Sequence, residues 1–146
     1  MKKIVRFFGN FLVYIAIVVV TIFGMPRFLS WFLETPYPMA AITSGSMWPA
    51  LKEGDLVFIE GVKKDELAKG DVVVYRNRDA DTFTIHRVVS LDAEQLVTKG
   101  DANFTQDEPI GYDAVVGRAW RINNSFMRIP RLGALTVFAS KVNYSR

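Results

Sequence analysis

One long apolar segment near the N-terminus constrains this chain more than any other feature. Phe7 to Met25 is apolar apart from Asn10 and Thr21, and in helical form it would extend roughly 28 Å, which matches the hydrocarbon core of a bilayer. A cleavable signal peptide would have a shorter apolar stretch followed by a small-x-small site, which is missing at Gly24. A buried helix of a soluble core would not be apolar all round. The segment predicts one transmembrane helix.

The charges around this segment predict its orientation. Lys2, Lys3 and Arg6 precede it, whereas Arg27 follows it. Because cytoplasmic flanks carry the excess of Lys and Arg, the N-terminus is expected in the cytoplasm. Pro26 is expected to end or kink the helix, since proline lacks the backbone donor. Residues 1–35 then form a basic tip, a transmembrane helix and an interfacial segment, and residues 36–146 form an extracytoplasmic or lumenal domain.

The remainder of the chain has a β pattern. Short runs rich in β-branched and aromatic residues are separated by Gly-Asp turn signals. The runs are Leu56 to Ile59, Val72 to Tyr75, Phe83 to Val89 and Val115 to Ile122. Lys63 to Lys69 could form one helical turn at most, and the apolar run Ala134 to Ala139 is too short to span a bilayer. The fold class predicted is mainly β: a signal-anchor helix followed by a β domain, without the long helices of α/β units.

Composition excludes several kinds of chemistry. The chain has no cysteine and one histidine, His86, so disulfides, thiolate catalysis and a His-rich or Cys-based metal site are ruled out. The net charge of +3 comes from basic residues that are scattered or flank the apolar segment, which does not indicate nucleic-acid binding. We expect no metal and no cofactor.

The stretch Ser44-Gly45-Ser46-Met47-Trp48-Pro49 is the first candidate for chemistry. A Ser-Gly-Ser corner allows a sharp turn that presents a hydroxyl. Met47 could turn into apolar surroundings while Pro49 sets the direction of the exit. An ordinary surface turn is the alternative interpretation.

A serine nucleophile needs a base and an orienting acid. His86 lies in an alternating β segment, where Thr84 and Val88 share its face. Two acids follow, Asp101 and Asp107, and either could orient an imidazole. The alternative is a polar turn in which both carboxylates bind backbone amides. Lys99 is a competing base, because a buried lysine can be neutral enough to take a proton.

The order of these motifs resembles the type I signal peptidases. The residues that carry the resemblance are the Ser-x-Ser-Met-x-Pro box that contains Ser46, the two Gly-Asp turns with their apolar strands, the Ile-His-Arg-Val-Val box, and the Lys-Gly-Asp-Ala-Asn box. Histidine in the basic box is similar to the branch found in the endoplasmic reticulum, in archaea and in some Gram-positive bacteria. Ala102 stands where that branch usually has asparagine. The likeness extends to about Gly133.

The resemblance implies a Ser-His-Asp endopeptidase that removes signal peptides after small residues. It implies Ser46 as nucleophile, His86 as general base, Asp107 as orienting acid, and Ser44 as a helper of the oxyanion site. Asp101 and Lys99 are expected to support the site. Expected partners are the signal peptides of secretory preproteins and membrane lipid, with the translocation machinery as a candidate. Two alternatives stay open: a Ser-Lys peptidase that uses Lys99, and a membrane-tethered β binding module without catalysis.

Overall fold

The structure, a computed structural model, describes residues 2–77 and 82–134. It begins with a continuous helical rod made of α1 (Lys2–Val19), a π-helical stretch (Val20–Gly24) and α2 (Met25–Phe32). Within it, Gly9–Phe32 has a mean hydropathy of 2.2 and is not buried by the rest of the protein, so it is long and apolar enough to cross a membrane. This agrees with the predicted anchor.

Of the two expectations for Pro26, that it ends or kinks the helix, the first is wrong. Pro26 lies in the first turn of α2, and the helix continues to Phe32. The amide of Met25 donates to the carbonyl of Val20, five residues earlier. This wider turn accommodates the missing donor and the ring of proline, so the rod continues past it.

The rest of the described chain is built from short antiparallel strands. They are β1 Met39–Ala41, β2 Leu56–Glu60, β3 Val72–Asn77, β4 Thr82–Leu91, β5 Gln95–Lys99, β6 Ile110–Gly111, β7 Val115–Ala119, β8 Arg121–Ile122, β9 Ser125–Phe126 and β10 Arg128–Ile129. One sheet has the order β1-β2-β7-β3-β4-β5-β6, with β10 also paired to β2, and β8 and β9 form a separate hairpin. The mainly β fold is confirmed.

The four predicted strands are present as β2, β3, β4 and β7, although the fourth predicted run is divided at Trp120 into β7 and β8. The region from Lys63 to Lys69 holds one short 3-10 turn, Lys64–Glu66, as expected. Sequence reasoning missed β5 and the strands of two or three residues, because such short segments carry too little alternation to be recognised. Most of the run Ala134 to Ala139 lies outside the described residues.

Two apolar clusters lie on opposite faces of the central strands. One surrounds the fully buried Met47 and includes Ile42, Leu51, Val57, Ile59, Val72, Val74 and Ala119. The other consists of Leu67, Val73, Tyr75, Val88 and Leu96. Val72 and Val73 point into different clusters because side chains alternate along β3. Both faces of the central strands are therefore buried.

The end of the helical rod is joined to the β domain. Leu33 and Thr35 are buried, the carbonyl of Leu33 accepts a 2.6 Å hydrogen bond from the amide of Gly61, and the Phe32 ring meets Trp120 edge-on. A Cβ at Gly61 would lie 2.2 Å from the Glu34 carbonyl oxygen, so only glycine permits this close approach. These contacts hold the domain close to the end of the apolar helix.

Candidate active site

The turn between β1 and β2 presents Ser46 above the first apolar cluster. The amide of Trp48 donates to the carbonyl of Gly45 (3.0 Å), and that of Leu51 donates to the carbonyl of Met47 (2.9 Å). Met47 and Leu51 are fully buried, so they anchor the turn from below while Ser46 stays partly exposed. The expectation that Met47 enters apolar surroundings is confirmed.

His86 lies in the middle of β4, opposite Val73 of β3. Only 8% of its surface is exposed, and its Nε2 lies 3.1 Å from the Oγ of Ser46. These two residues are 40 positions apart in the chain, and the sheet brings them together. A proton of the serine hydroxyl can therefore pass directly to this imidazole nitrogen.

Asp107 completes the series from a loop that returns after β5. The amide of Asp107 donates to the carbonyl of Thr98 (2.8 Å), and Oδ2 of Asp107 lies 2.5 Å from Nδ1 of His86. Because a carboxylate only accepts hydrogen bonds, the imidazole proton is on Nδ1 and the lone pair of Nε2 faces Ser46. This is the tautomer that a general base requires.

Two residues that sequence reasoning missed hold the Asp107 carboxylate. The hydroxyl of the fully buried Thr98 donates to Oδ2 of Asp107 (2.6 Å), and the hydroxyl of Tyr75 donates to the same oxygen (3.3 Å). Burial, reinforced by the nearby negative charge of Asp107, raises the pKa of the Tyr75 phenol above its ordinary value of 10.0. Tyr75 therefore keeps its donor proton. No local signal marks either residue, since both look like ordinary strand residues.

Asp101 contacts Arg87, and its carboxylate does not point to His86. The guanidinium of Arg87 donates two hydrogen bonds of 2.7 Å to the carboxylate of Asp101 and one of 2.8 Å to the carbonyl of Gly70. The hydrogen bonds with Asp101 raise the pKa of the Arg87 guanidinium. Side chains, rather than the backbone amides of a polar turn, are the partners of both Asp101 and Asp107.

The loop that carries Asp101 also holds the nucleophile turn. The amide of Ala102 donates to the carbonyl of Ser46 (2.8 Å). A Cβ on the buried Gly100 would lie 2.8 Å from that same carbonyl oxygen and 2.7 Å from Nδ2 of Asn103, so glycine is required for this approach. Arg87, Asp101 and Ala102 thus form a chain of contacts from β4 to the backbone of Ser46.

The two remaining candidates differ in position. The Oγ of Ser44 lies 3.1 Å from the Oγ of Ser46, beside the predicted nucleophile. Lys99 lies opposite Arg87 in the register of β4 and β5, and neighbouring Thr98 points to the other face, toward Asp107. Among the contacts of the described residues, the Lys99 amine makes none with Ser46 or His86.

Two cavities border His86. The smaller, of about 160 Å³, adjoins Ser44 and Ser46 and is lined on its apolar side by Ala40, Ala41, Ile42, Val74, Phe83 and Ile85. The larger, of about 540 Å³, is lined by Tyr75, Arg76, Asn77, Thr84, Asp107, Glu108, Pro109, Ile110, Gly111 and Ala114 besides His86. The histidine therefore lies between a small cavity and a larger one, and both cavities have mixed polar and apolar linings.

A serine, a histidine and an aspartate linked in this order have the geometry that serine hydrolases use. Comparison with known proteins is consistent with that class. The model of the family "Signal peptidase, peptidase S26" matches residues 9–127. The chain belongs to this family of signal peptidases.

Similar proteins include catalytic subunits named SEC11 of signal peptidase complexes. The subunit of Fusarium vanettenii is 34% identical over 86% of this chain and 77% of its own length. That of Neurospora crassa is 33% identical, covering 83% and 74%, and that of Verticillium alfalfae is 34% identical with the same coverage. These matches confirm the predicted resemblance to the branch of the endoplasmic reticulum.

Proposed function

We propose that this chain is a membrane-anchored serine endopeptidase that removes N-terminal signal peptides, with Ser46 as nucleophile, His86 as general base and Asp107 as orienting acid. One observation carries the proposal: Nε2 of His86 lies 3.1 Å from the Ser46 hydroxyl while Nδ1 lies 2.5 Å from Asp107. Membership of the signal peptidase family supplies the substrate class.

The chemistry follows from these positions. His86 takes the Ser46 proton as Oγ attacks the scissile carbonyl, and Asp107 stabilises the imidazolium that forms. His86 then gives that proton to the leaving amine as the peptide bond breaks, which produces an acyl-Ser46 ester. Water, deprotonated by the same imidazole, hydrolyses the ester and restores Ser46.

The oxyanion that forms on the scissile carbonyl needs donors. We assign them to the Ser46 amide and the Ser44 hydroxyl, since Ser44 lies 3.1 Å from the Ser46 oxygen. A preorganised donor of this kind is typically worth about 3 kcal/mol of barrier. Rotation of the Ser44 hydroxyl would direct its proton to the oxyanion once the Ser46 proton has moved to His86.

The small cavity beside Ser46 supports cleavage after small residues. Its volume is about 160 Å³, and alanines at positions 40 and 41 line it together with the branched side chains of Ile42 and Val74. A cavity of this volume accommodates a small side chain and excludes a bulky one.

We further propose that the N-terminus is cytoplasmic and that the domain of residues 36–146 is extracytoplasmic or lumenal. The basic residues Lys2, Lys3 and Arg6 support this orientation. The exposed aromatic rings of Phe28 and Trp31 at the end of the rod suit the membrane interface. Membrane lipid is then a neighbour of the site. Other subunits of a complex are proposed partners, since the relatives are named as catalytic subunits of signal peptidase complexes. The translocation machinery remains a proposed partner because signal peptides emerge from it.

Replacement of the nucleophile tests the proposal. Ser46→Ala should reduce preprotein processing by roughly 10⁶-fold, while Ser90→Ala on the exposed part of β4 serves as the matched control. A membrane-tethered binding module would keep its function in Ser46→Ala, and retained processing would contradict a serine peptidase.

A comparison of His86→Gln with Lys99→Met tests which residue is the general base. A greater loss of processing in Lys99→Met than in His86→Gln would favour the Ser-Lys alternative.

A further inference from the structure

The larger cavity lies on the side of His86 away from the nucleophile turn. It is lined by Asp107, Glu108 and the end of β3, and it contains no residue of the turn from Thr43 to Leu51. Thr84 and His86 border both this cavity and the smaller one. The two cavities therefore adjoin at these two residues.

The proton transfer in the proposed mechanism determines which part of a substrate crosses His86. The leaving amine must reach hydrogen-bond distance of Nε2 to receive the proton that came from Ser46. The residues that follow that amine belong to the mature protein, and they continue from the imidazole, whereas the acyl side stays at Ser46 beside the small cavity.

We propose that the 540 Å³ cavity binds the first residues of the mature protein, on the C-terminal side of the scissile bond. This inference rests on the proposed function. The volume falls in the range of ligand sites, about 300–1,000 Å³, and exceeds that of the cavity beside Ser46.

The volume and lining of the two cavities suit different parts of a substrate. The small cavity is lined by Ala40, Ala41, Ile42 and Val74 together with polar groups such as Thr43 and Ser44, and its volume restricts entry to small side chains. The larger cavity combines the charged Arg76 and Glu108 and the polar Thr84 with Pro109, Ile110 and Ala114. Such a surface accepts polar and ionised side chains, because it offers them donors and acceptors. The same site can therefore bind and release mature proteins whose first residues differ in composition.

The experiment compares two substrates with identical signal-side sequences, using the full-length protein in detergent. One continues for six residues past the scissile bond and the other ends there in an aminocoumarin amide. Ala114→Phe fills the cavity from the half-buried turn Tyr112–Ala114. The ratio of kcat/KM for the long substrate to that for the short one should fall by about tenfold or more, as expected for a misfit in a pocket. Ala93→Phe, in the exposed turn after β4, is the matched control and should leave the ratio unchanged.

A second variant and an inhibitor keep the result interpretable. Glu108 is exposed, so Glu108→Trp obstructs the cavity without disturbing the core and should lower the ratio in the same way. A peptide aldehyde that covers only the signal side measures Ser46 and the small cavity independently. Wild-type ratios in both variants, with the aldehyde still bound, would overturn the cavity assignment and leave the proposed peptidase intact. If the wild-type protein neither bound the aldehyde nor cleaved either substrate, that result would instead contradict the proposed function itself.

Discussion

The hydroxyl of Thr98 donates a 2.6 Å hydrogen bond to Oδ2 of Asp107, the same oxygen that faces Nδ1 of His86. The amide of Asp107 returns a hydrogen bond to the carbonyl of Thr98. This reciprocal pair fixes both the backbone and the carboxylate of Asp107 on β5, next to the strand that carries His86. Although Asp107 lies in a loop, these hydrogen bonds fix its position as firmly as that of a residue in a strand.

Thr98→Val should therefore reduce catalysis without unfolding the protein. Valine nearly matches the shape of threonine, so the buried site stays filled, while the Asp107 carboxylate loses one donor. A hydrogen bond to a charged group is worth about 1.5–3 kcal/mol, which corresponds to a loss of about tenfold to a hundredfold in kcat if it acts on the transition state. Thr98→Ser keeps the hydroxyl donor, so it should retain most of the wild-type activity. Single-turnover cleavage beside thermal melting measures both, and wild-type turnover in Thr98→Val would contradict the positioning role.

Asp107→Asn should separate catalysis from stability. An amide in place of the carboxylate keeps the shape but favours the wrong imidazole tautomer. The corresponding Asp→Asn change in a well-studied serine protease costs about 10⁴-fold in kcat. We expect near-wild-type melting with almost no turnover. The measurement is thermal unfolding together with single-turnover cleavage.

Asp101→Asn is the matched comparison, and it should lose stability first. Its carboxylate accepts two hydrogen bonds from Arg87, and leaving such a partly buried partner unsatisfied costs about 1–3 kcal/mol. The attached Ala102–Ser46 contact would loosen with it, so some activity should also be lost. A fully active Asp107→Asn protein beside a folded but inactive Asp101→Asn protein would reverse the two roles.

The raised pKa of Tyr75 predicts a pH dependence of stability. In the unfolded chain a tyrosine releases its proton near pH 10, whereas the folded protein retains it to a higher pH. Stability is therefore fully present below that pH and decreases as pH rises through the unfolded value toward the folded one. The melting temperature of the wild type should fall more steeply above about pH 10 than that of Tyr75→Phe. Parallel curves for the two proteins would contradict the burial-driven shift.

The orientation in the membrane predicts a pattern of protection. Protease added outside intact spheroplasts should digest the domain after residue 36 but leave the basic tip of Lys2, Lys3 and Arg6 intact. The reason is the preference of Lys and Arg for the cytoplasmic flank. A tag after Arg6 and a tag in the exposed hairpin turn at Asn123 and Asn124 report the two sides. Protection of the hairpin tag until the membrane is opened would contradict this orientation.

The sequence alone determined the features that depend on local pattern. An apolar run long enough for a bilayer predicted the rod, and runs rich in β-branched and aromatic residues predicted β2, β3 and β4, because such residues favour extended backbone. The order of the motifs singled out Ser46 and His86. The burial of Met47 was also expected from its place in the turn, whereas the neighbouring Trp48 is exposed.

Only the tertiary structure decided which groups meet. Asp101 and Asp107 lie in one polar loop, and the residues alone left either acid able to orient His86, although the family resemblance implied Asp107. In the fold, Asp107 contacts Thr98 and His86, whereas Asp101 contacts Arg87. Likewise, the continuation of the helix past Pro26 depends on a π-helical turn that no residue pattern announces. These outcomes depend on contacts between residues distant in the chain, and the side-chain period of a strand cannot encode which strand will lie beside it.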